Sequence, residues 1–136
     1  MDVRFPFENV GKNFFGKVYR PVAKVSLKSL SNNIWSDTWM IVDTGADFTI
    51  VPQYFSRDLG ISLESDCIKD ITVGVGGEQI IYLCKARIRA QIGDAKREIP
   101  LAISDSNETP PLLGRLGFLE TFDTEFLKKH IVVFKE

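Results

Sequence analysis

Ala23, Val25 and Leu27 alternate with Lys24, Ser26 and Lys28, a period of two that lines one face with apolar side chains and predicts a strand over Val18–Leu27. Ile88 and Ala90 alternate with Arg87 and Arg89 in the same way, as in a strand with one wet face. Two apolar runs, Trp39-Met40-Ile41-Val42 and Phe48-Thr49-Ile50-Val51, predict buried strands that pinch together around the residues between them. Ile68–Val73 and Gln79–Gln91 predict a hairpin around Gly74-Val75-Gly76-Gly77 and its continuation, and Glu98–Ile103 predicts another strand. Phe122–Phe126 and Ile131–Phe134, on either side of Leu127-Lys128-Lys129-His130, predict a terminal hairpin. Helical signals are sparse: Tyr54–Leu59, closed by Gly60, has room for one turn of helix or a loop. Lys28–Asp37 and Ser104–Pro111 read as loops from their Ser, Asn and Pro content. Residues 1–17, rich in Phe, Asn and Gly without a period, predict an extended arm or short strand packed on the body. The pattern is that of an all-β chain without internal repeats.

At 136 residues and 44% hydrophobic content, the chain suits one domain with a core of its own. The net charge is −1 and Lys and Arg are scattered singly, so the basic excess with which a nucleic-acid binder meets phosphates is missing. No apolar run has the length of a membrane-spanning helix, and Met1–Glu8 lacks the apolar centre of a secretion signal, which together predict a cytoplasmic protein with no membrane partner. Cys67 and Cys84 lie equally far from the hairpin tip and should face each other. A disulfide is conceivable there, but in a reducing compartment two packed thiols are expected. His130 is the sole histidine and has no neighbour with which to activate a nucleophile. No residues have metal-ligand spacing, and neither a metal nor another cofactor is expected. Trp35 and Trp39 share a strand face, which predicts core or interface.

The candidate chemistry lies in Asp43-Thr44-Gly45-Ala46-Asp47. Strands on both sides make a rigid mount, Gly45 permits a tight turn, and Asp and Thr side chains bond their own backbone there, so a carboxylate is held in place. A second segment, Pro111-Leu112-Leu113-Gly114-Arg115-Leu116-Gly117-Phe118, follows the Gly-rich hairpin. Together the three segments resemble the retropepsin-like aspartic proteases, over roughly residues 18–126. The family's first segment carries a catalytic Asp, its second covers the substrate as a flap, and its third threads beside the Asp and enters a short helix. The Ala after the Gly is the form usual in retroviral members. The loop Lys28–Asp37 is longer than theirs, and the terminal hairpin is similar to that of cellular relatives.

The resemblance implies an acid-protease barrel with a flap hairpin and one short C-terminal helix. It assigns residues 1–17 to an arm and 18–136 to the protease domain. Aspartic peptidases use two carboxylates that share a proton, and this chain has one Asp-Thr-Gly, so the resemblance implies a homodimer that pairs two copies of Asp43. Asp43, Thr44 and Gly45 would form the catalytic loop, Thr44 locking the two loops together and Gly45 offering its carbonyl to the substrate. Ala46, Asp47, Val73, Gly74, Val75, Gly76, Gly77 and Leu112 would contact the peptide or protein substrate, with the Val75 amide facing it. Asp47 and Arg115 would form a structural ion pair, with Arg20 reaching across from the partner. Apolar walls at Leu112 and Val73 imply cleavage between hydrophobic residues. Two other readings stay open: the same fold serving as a non-catalytic dimerising or peptide-binding module, and a monomeric β-barrel binding domain in which Asp-Thr-Gly is accidental.

Overall fold

The computed structural model describes residues 2–74 and 76–136 and places most of them in strands. In chain order these are β1 (Asp2–Pro6), β2 (Glu8–Asn13), β3 (Gly16–Arg20), β4 (Val22–Lys28), β5 (Trp35–Val42), β6 (Thr49–Val51), β7 (Cys67–Gly74) and β8 (Gly77–Cys84). They continue with β9 (Ile88–Ile92), β10 (Ala95–Ile99), β11 (Leu101–Ser104), β12 (Leu112–Leu113), β13 (Asp123–Leu127) and β14 (Ile131–Lys135). A single turn of helix, α1 (Phe55–Asp58), follows β6, and a 3-10 turn, Leu119–Thr121, precedes β13.

Nine strands form one sheet in the order β10-β9-β4-β5-β12-β6-β11-β8-β7. Its centre is where chain order and spatial order part: β12 runs parallel to β5 and antiparallel to β6, and β11 runs parallel to β6. A second sheet, β1-β14-β13, joins the two ends of the described chain, and β2 and β3 form a separate pair. Ala23, Val25 and Leu27 of β4 point inward with Met40 and Val42 of β5, Ile88, Ala90 and Ile92 of β9, and Ile103 of β11. Val132 and Phe134 of β14 complete this core from the second sheet. Period-two alternation therefore does here what it should, placing one face of each strand in a shared interior. Among the described residues no helix is long and apolar enough to cross a membrane.

Several predicted elements are interrupted. The stretch Val18–Leu27 is two strands, because Pro21 has no N–H for a ladder and fixes its own φ. Pro100 divides Glu98–Ile103 between β10 and β11 in the same manner. The continuation Gln79–Gln91 breaks at residues 85–87, so that β8 and β9 serve different neighbours. The start of the chain is more regular than an arm: β1 pairs with β14, and the boundary at residue 17 falls inside β3. The expected C-terminal helix is only the 3-10 turn, and the α-helical turn belongs to α1. Trp35 and Trp39 are not core residues. They share the outer face of β5 with Asp37, and Trp39 is 53% exposed, with Phe5 meeting it edge-on at 5.8 Å.

Candidate active site

β5 delivers Asp43 to the middle of the large sheet and stops there. The Val42 N–H donates to the Pro21 carbonyl at 2.9 Å, and the Asp43 N–H donates to the Leu113 carbonyl at 3.1 Å. Beyond that point the chain turns sharply, closed by the Ala46 N–H on the Asp43 carbonyl at 3.1 Å. Asp43 Oδ1 accepts the Gly45 N–H at 2.9 Å, so the carboxylate bends back over its own loop. A Cβ at Gly45 would stand 3.2 Å from that oxygen, tighter than side chains normally approach. Gly45 therefore keeps the acceptor in place. Asp43 is half-buried, Ala46 likewise, and Thr44, Gly45 and Asp47 are exposed on the open side of the loop.

β12 supports this loop from beneath. Leu112 lies opposite Ile41 and Ile50, and Leu113 opposite Val42, which wedges two residues between the strands before and after the loop. At Gly114 the chain passes so close to Phe48 that a Cβ would fall 2.2 Å from its carbonyl carbon and oxygen. Only glycine fits there. The Gly114 N–H finds its acceptor in Thr49 Oγ1 at 3.1 Å, and Thr49 is fully buried. The next two amides fasten the loop itself: Arg115 N–H to the Ala46 carbonyl at 3.0 Å and Leu116 N–H to the Asp47 carbonyl at 2.8 Å.

Arg115 adds a side-chain clasp. Its Nη2 meets Asp47 Oδ1 at 2.8 Å while Nη1 donates to the Thr44 carbonyl, so one planar guanidinium spans both ends of the turn. Both side chains are well exposed, and an exposed ion pair adds little stability by charge alone. What the clasp supplies is shape, because it fixes the Thr44 carbonyl and the Asp47 side chain relative to each other. Arg20 ends β3 across from Glu8.

The hairpin β7–β8 pairs residue for residue from Cys67↔Cys84 to Gly74↔Gly77. Gly74, Gly76 and Gly77 are exposed at its tip and Val73 is 75% exposed, while Leu112 is half-buried in the sheet. Val75, whose amide the family resemblance would turn toward a substrate, lies outside the described residues. The structure thus brings Asp43, Thr44, Gly45, Ala46, Asp47, Leu112 and Arg115 together, and carries Val73, Gly74, Gly76 and Gly77 on a projecting hairpin three strands from β12. Cys67 and Cys84 stand opposite each other at its base as separate thiols, with sulfurs 3.8 Å apart. Burial pushes the Cys84 thiol far above its ordinary range, and the neighbouring Cys67 adds to the rise. His130 has a left-handed backbone (φ 64°) and stacks on Tyr19 at 4.2 Å, in a turn.

Two features of the site were not anticipated from sequence. Thr49 was expected only as part of an apolar run, yet its hydroxyl holds the glycine that supports the loop; a lone hydroxyl inside Phe48-Thr49-Ile50-Val51 was the available signal. Gln79, Ser104 and Thr109 meet between the hairpin and the segment before Leu112. Nothing local in the sequence marks that meeting.

Comparison with known proteins agrees with this geometry. The model of the family described as aspartyl protease matches residues 25–116, well over half of the chain and both loop segments. Among solved structures, a retropepsin-like aspartic protease from Rickettsia conorii is similar at a TM-score of 0.63, covering 98% of each chain at 16% identity. No curated protein matches the sequence. The chain belongs to the aspartyl protease family and has the retropepsin-like fold.

Proposed function

We propose that this chain is an aspartic endopeptidase active as a homodimer, with β1 to β3 packed as part of the protease domain. The observation that carries the reading is the Asp43 loop. Its carboxylate is held by Gly45, its backbone is fastened from below by Leu113, Arg115 and Leu116, and its other side is left open at Thr44 and Gly45. That is half of a two-carboxylate centre. A second copy related by a two-fold axis supplies the other half.

In the dimer two Asp43 carboxylates share one proton, because like charges so close do not both ionise. The ionised member takes a proton from a water molecule as the water oxygen adds to the scissile carbonyl carbon, and the protonated member donates to the carbonyl oxygen. The tetrahedral diol then collapses: the carboxyl that took the water's proton gives it to the departing nitrogen, the other takes a proton from a diol hydroxyl, the C–N bond breaks, and the pair again holds one proton. Thr44 bonds across the two loops, Gly45 offers its carbonyl to the peptide backbone, and Ala46, Asp47 and Leu112 line the peptide. The hairpin β7–β8 acts as the flap, covering the bound peptide and excluding water, and its glycines at 74, 76 and 77 are the residues that let such a cover fold back.

The test is Asp43→Asn, which neither takes up nor releases the shared proton. It should abolish hydrolysis of an extended hydrophobic peptide while leaving the thermal transition intact. Wild-type specific activity should also fall on dilution below the dimer dissociation constant, and excess Asp43→Asn should suppress wild type through mixed dimers. Peptide binding without turnover by the wild-type dimer would instead assign the fold to a non-catalytic peptide-binding module.

A further inference from the structure

Gln79 reaches from β8 into a polar knot that no step of the proposed chemistry uses. Its amide nitrogen donates to Ser104 Oγ at 2.8 Å and to Thr109 Oγ1 at 2.9 Å, and the two hydroxyls lie 3.1 Å apart. Ser104 is fully buried and also accepts the Ser106 N–H at 3.1 Å. Both N–H groups of one amide are therefore committed, in a place where an unmade bond is costly.

The position of the knot gives it meaning. The ladder between β8 and β11 ends at Ile81↔Ser104, followed only by the Asp105 N–H on the Ile80 carbonyl at 3.1 Å. Gln79 is the next tie toward the hairpin tip. On its other side Thr109 leads through Pro110 to Pro111, whose carbonyl accepts the Ile41 N–H at 3.0 Å, and then to Leu112 beside the strand that delivers Asp43. A path of hydrogen bonds and connecting chain thus runs from Gln79 on the hairpin to the strand wall of the site. Directional bonds set the distance between those parts in a way that an apolar contact, free to slide, does not.

We infer that Gln79 is a positioning residue that fixes the outer part of the β7–β8 hairpin, at the pair Thr72↔Gln79, to the segment carrying Leu112. The pair Thr72↔Gln79 is thereby held at a fixed distance from that segment. This rests on the reading of the hairpin as a cover over bound peptide. Since the bonds that hold Asp43 do not pass through Gln79, its loss should disturb peptide seating and leave the chemical step alone.

The experiment compares Gln79→Leu, Thr109→Val, their double variant and Thr109→Ser by steady-state kinetics and by amide hydrogen exchange. Each of the first two should raise KM about tenfold, the equivalent of one lost hydrogen bond, with kcat within about twofold. The double variant should be no worse than either single one, because both break the same tie. Thr109→Ser keeps the hydroxyl and should restore the wild-type KM. Exchange at the Asp105 amide should quicken in Gln79→Leu. Additive losses, a fall in kcat equal to the rise in KM, or a lowered melting temperature with KM unchanged would each overturn the proposal. Should the wild type cut no peptide, the peptidase reading fails by itself, and unchanged exchange at Asp105 would overturn the tie as well.

Discussion

Replacing Thr49 with Val keeps the side-chain shape and removes one acceptor. The Gly114 N–H now bonded to Thr49 Oγ1 at 3.1 Å would lose its partner in a fully buried site. A buried donor left unpaired costs about 1–3 kcal/mol. For a domain with about 5–15 kcal/mol of total stability, that is a sizeable share. At this chain length 1 kcal/mol corresponds to about 4 °C in Tm, so about 2 kcal/mol should lower it by about 8 °C. Thr49→Ser separates the causes: it retains the acceptor and loses one buried methyl, about 1 kcal/mol and about 4 °C. The assay is a thermal melt at one fixed protomer concentration, since dimerisation would itself raise Tm, read beside hydrogen exchange at Gly114. Protection of that amide should survive in Ser and collapse in Val. A Val variant melting within about 1 °C of wild type, with Gly114 still protected, would refute the assignment of Thr49 as the anchor of the loop's support.

Gly114→Ala should be more damaging than Thr49→Val, because the new methyl meets Phe48 backbone at 2.2 Å and must lever β12 away from β6; an unchanged melt would refute that close approach. Cys84 should resist iodoacetamide at pH 8 in the native protein and react on unfolding in urea, because burial holds its thiol protonated; rapid native labelling would contradict this. With Cys84 raised in the folded state, its contribution is fully present below the unfolded thiol value of about 8.5 and is lost as pH climbs above it, so Cys84→Ala should flatten the alkaline limb of the stability curve. At the acid end, the hydrogen bond and charge of Lys135 hold the Glu125 carboxyl below its usual range. The contribution of that pair is present above the unfolded carboxylate value of about 4.3 and fades as pH falls through the lower folded one, so Glu125→Gln should be indifferent to that window in a denaturant titration series.

Much of the scaffold was legible because alternation is local. Ala23, Val25, Leu27, Ile88 and Ala90 announce their faces within a few residues, and a hairpin such as β7–β8 declares itself by two runs and a glycine turn. The Asp43 loop was legible for the same reason, being bounded by strands that are continuous in sequence. At Pro21 and Pro100 the apolar pattern alone joins what the missing N–H divides, because proline cannot donate to a ladder. Of the two readings of Trp35 and Trp39, core and interface, the first falls because Met40 and Val42 take the inner face and alternation leaves the indoles outside. What no local pattern could give was partnership across distance: β12 between β5 and β6, Thr49 under Gly114, Gln79 with Thr109. Each depends on where separate segments arrive after collapse, and the residue types involved are common in loops and strands alike.

The bonds that finish the Asp43 loop come from far along the chain, separated by 71 residues for Arg115 and Thr44, 68 for Arg115 and Asp47, and 65 for Gly114 and Thr49. During synthesis β4 and β5 can pair as soon as both leave the ribosome, but Asp43 then sits on an unfastened turn until residue 116 has emerged as well. Closing so long a loop comes late for reasons of chain entropy. The growing chain therefore carries Asp43 on an unfinished loop until late in its synthesis. A ribosome-bound chain ending at Pro110 should show the β4–β5 hairpin by crosslinking yet neither bind nor cleave peptide, and activity should appear only in arrested chains whose residue 116 has cleared the exit tunnel.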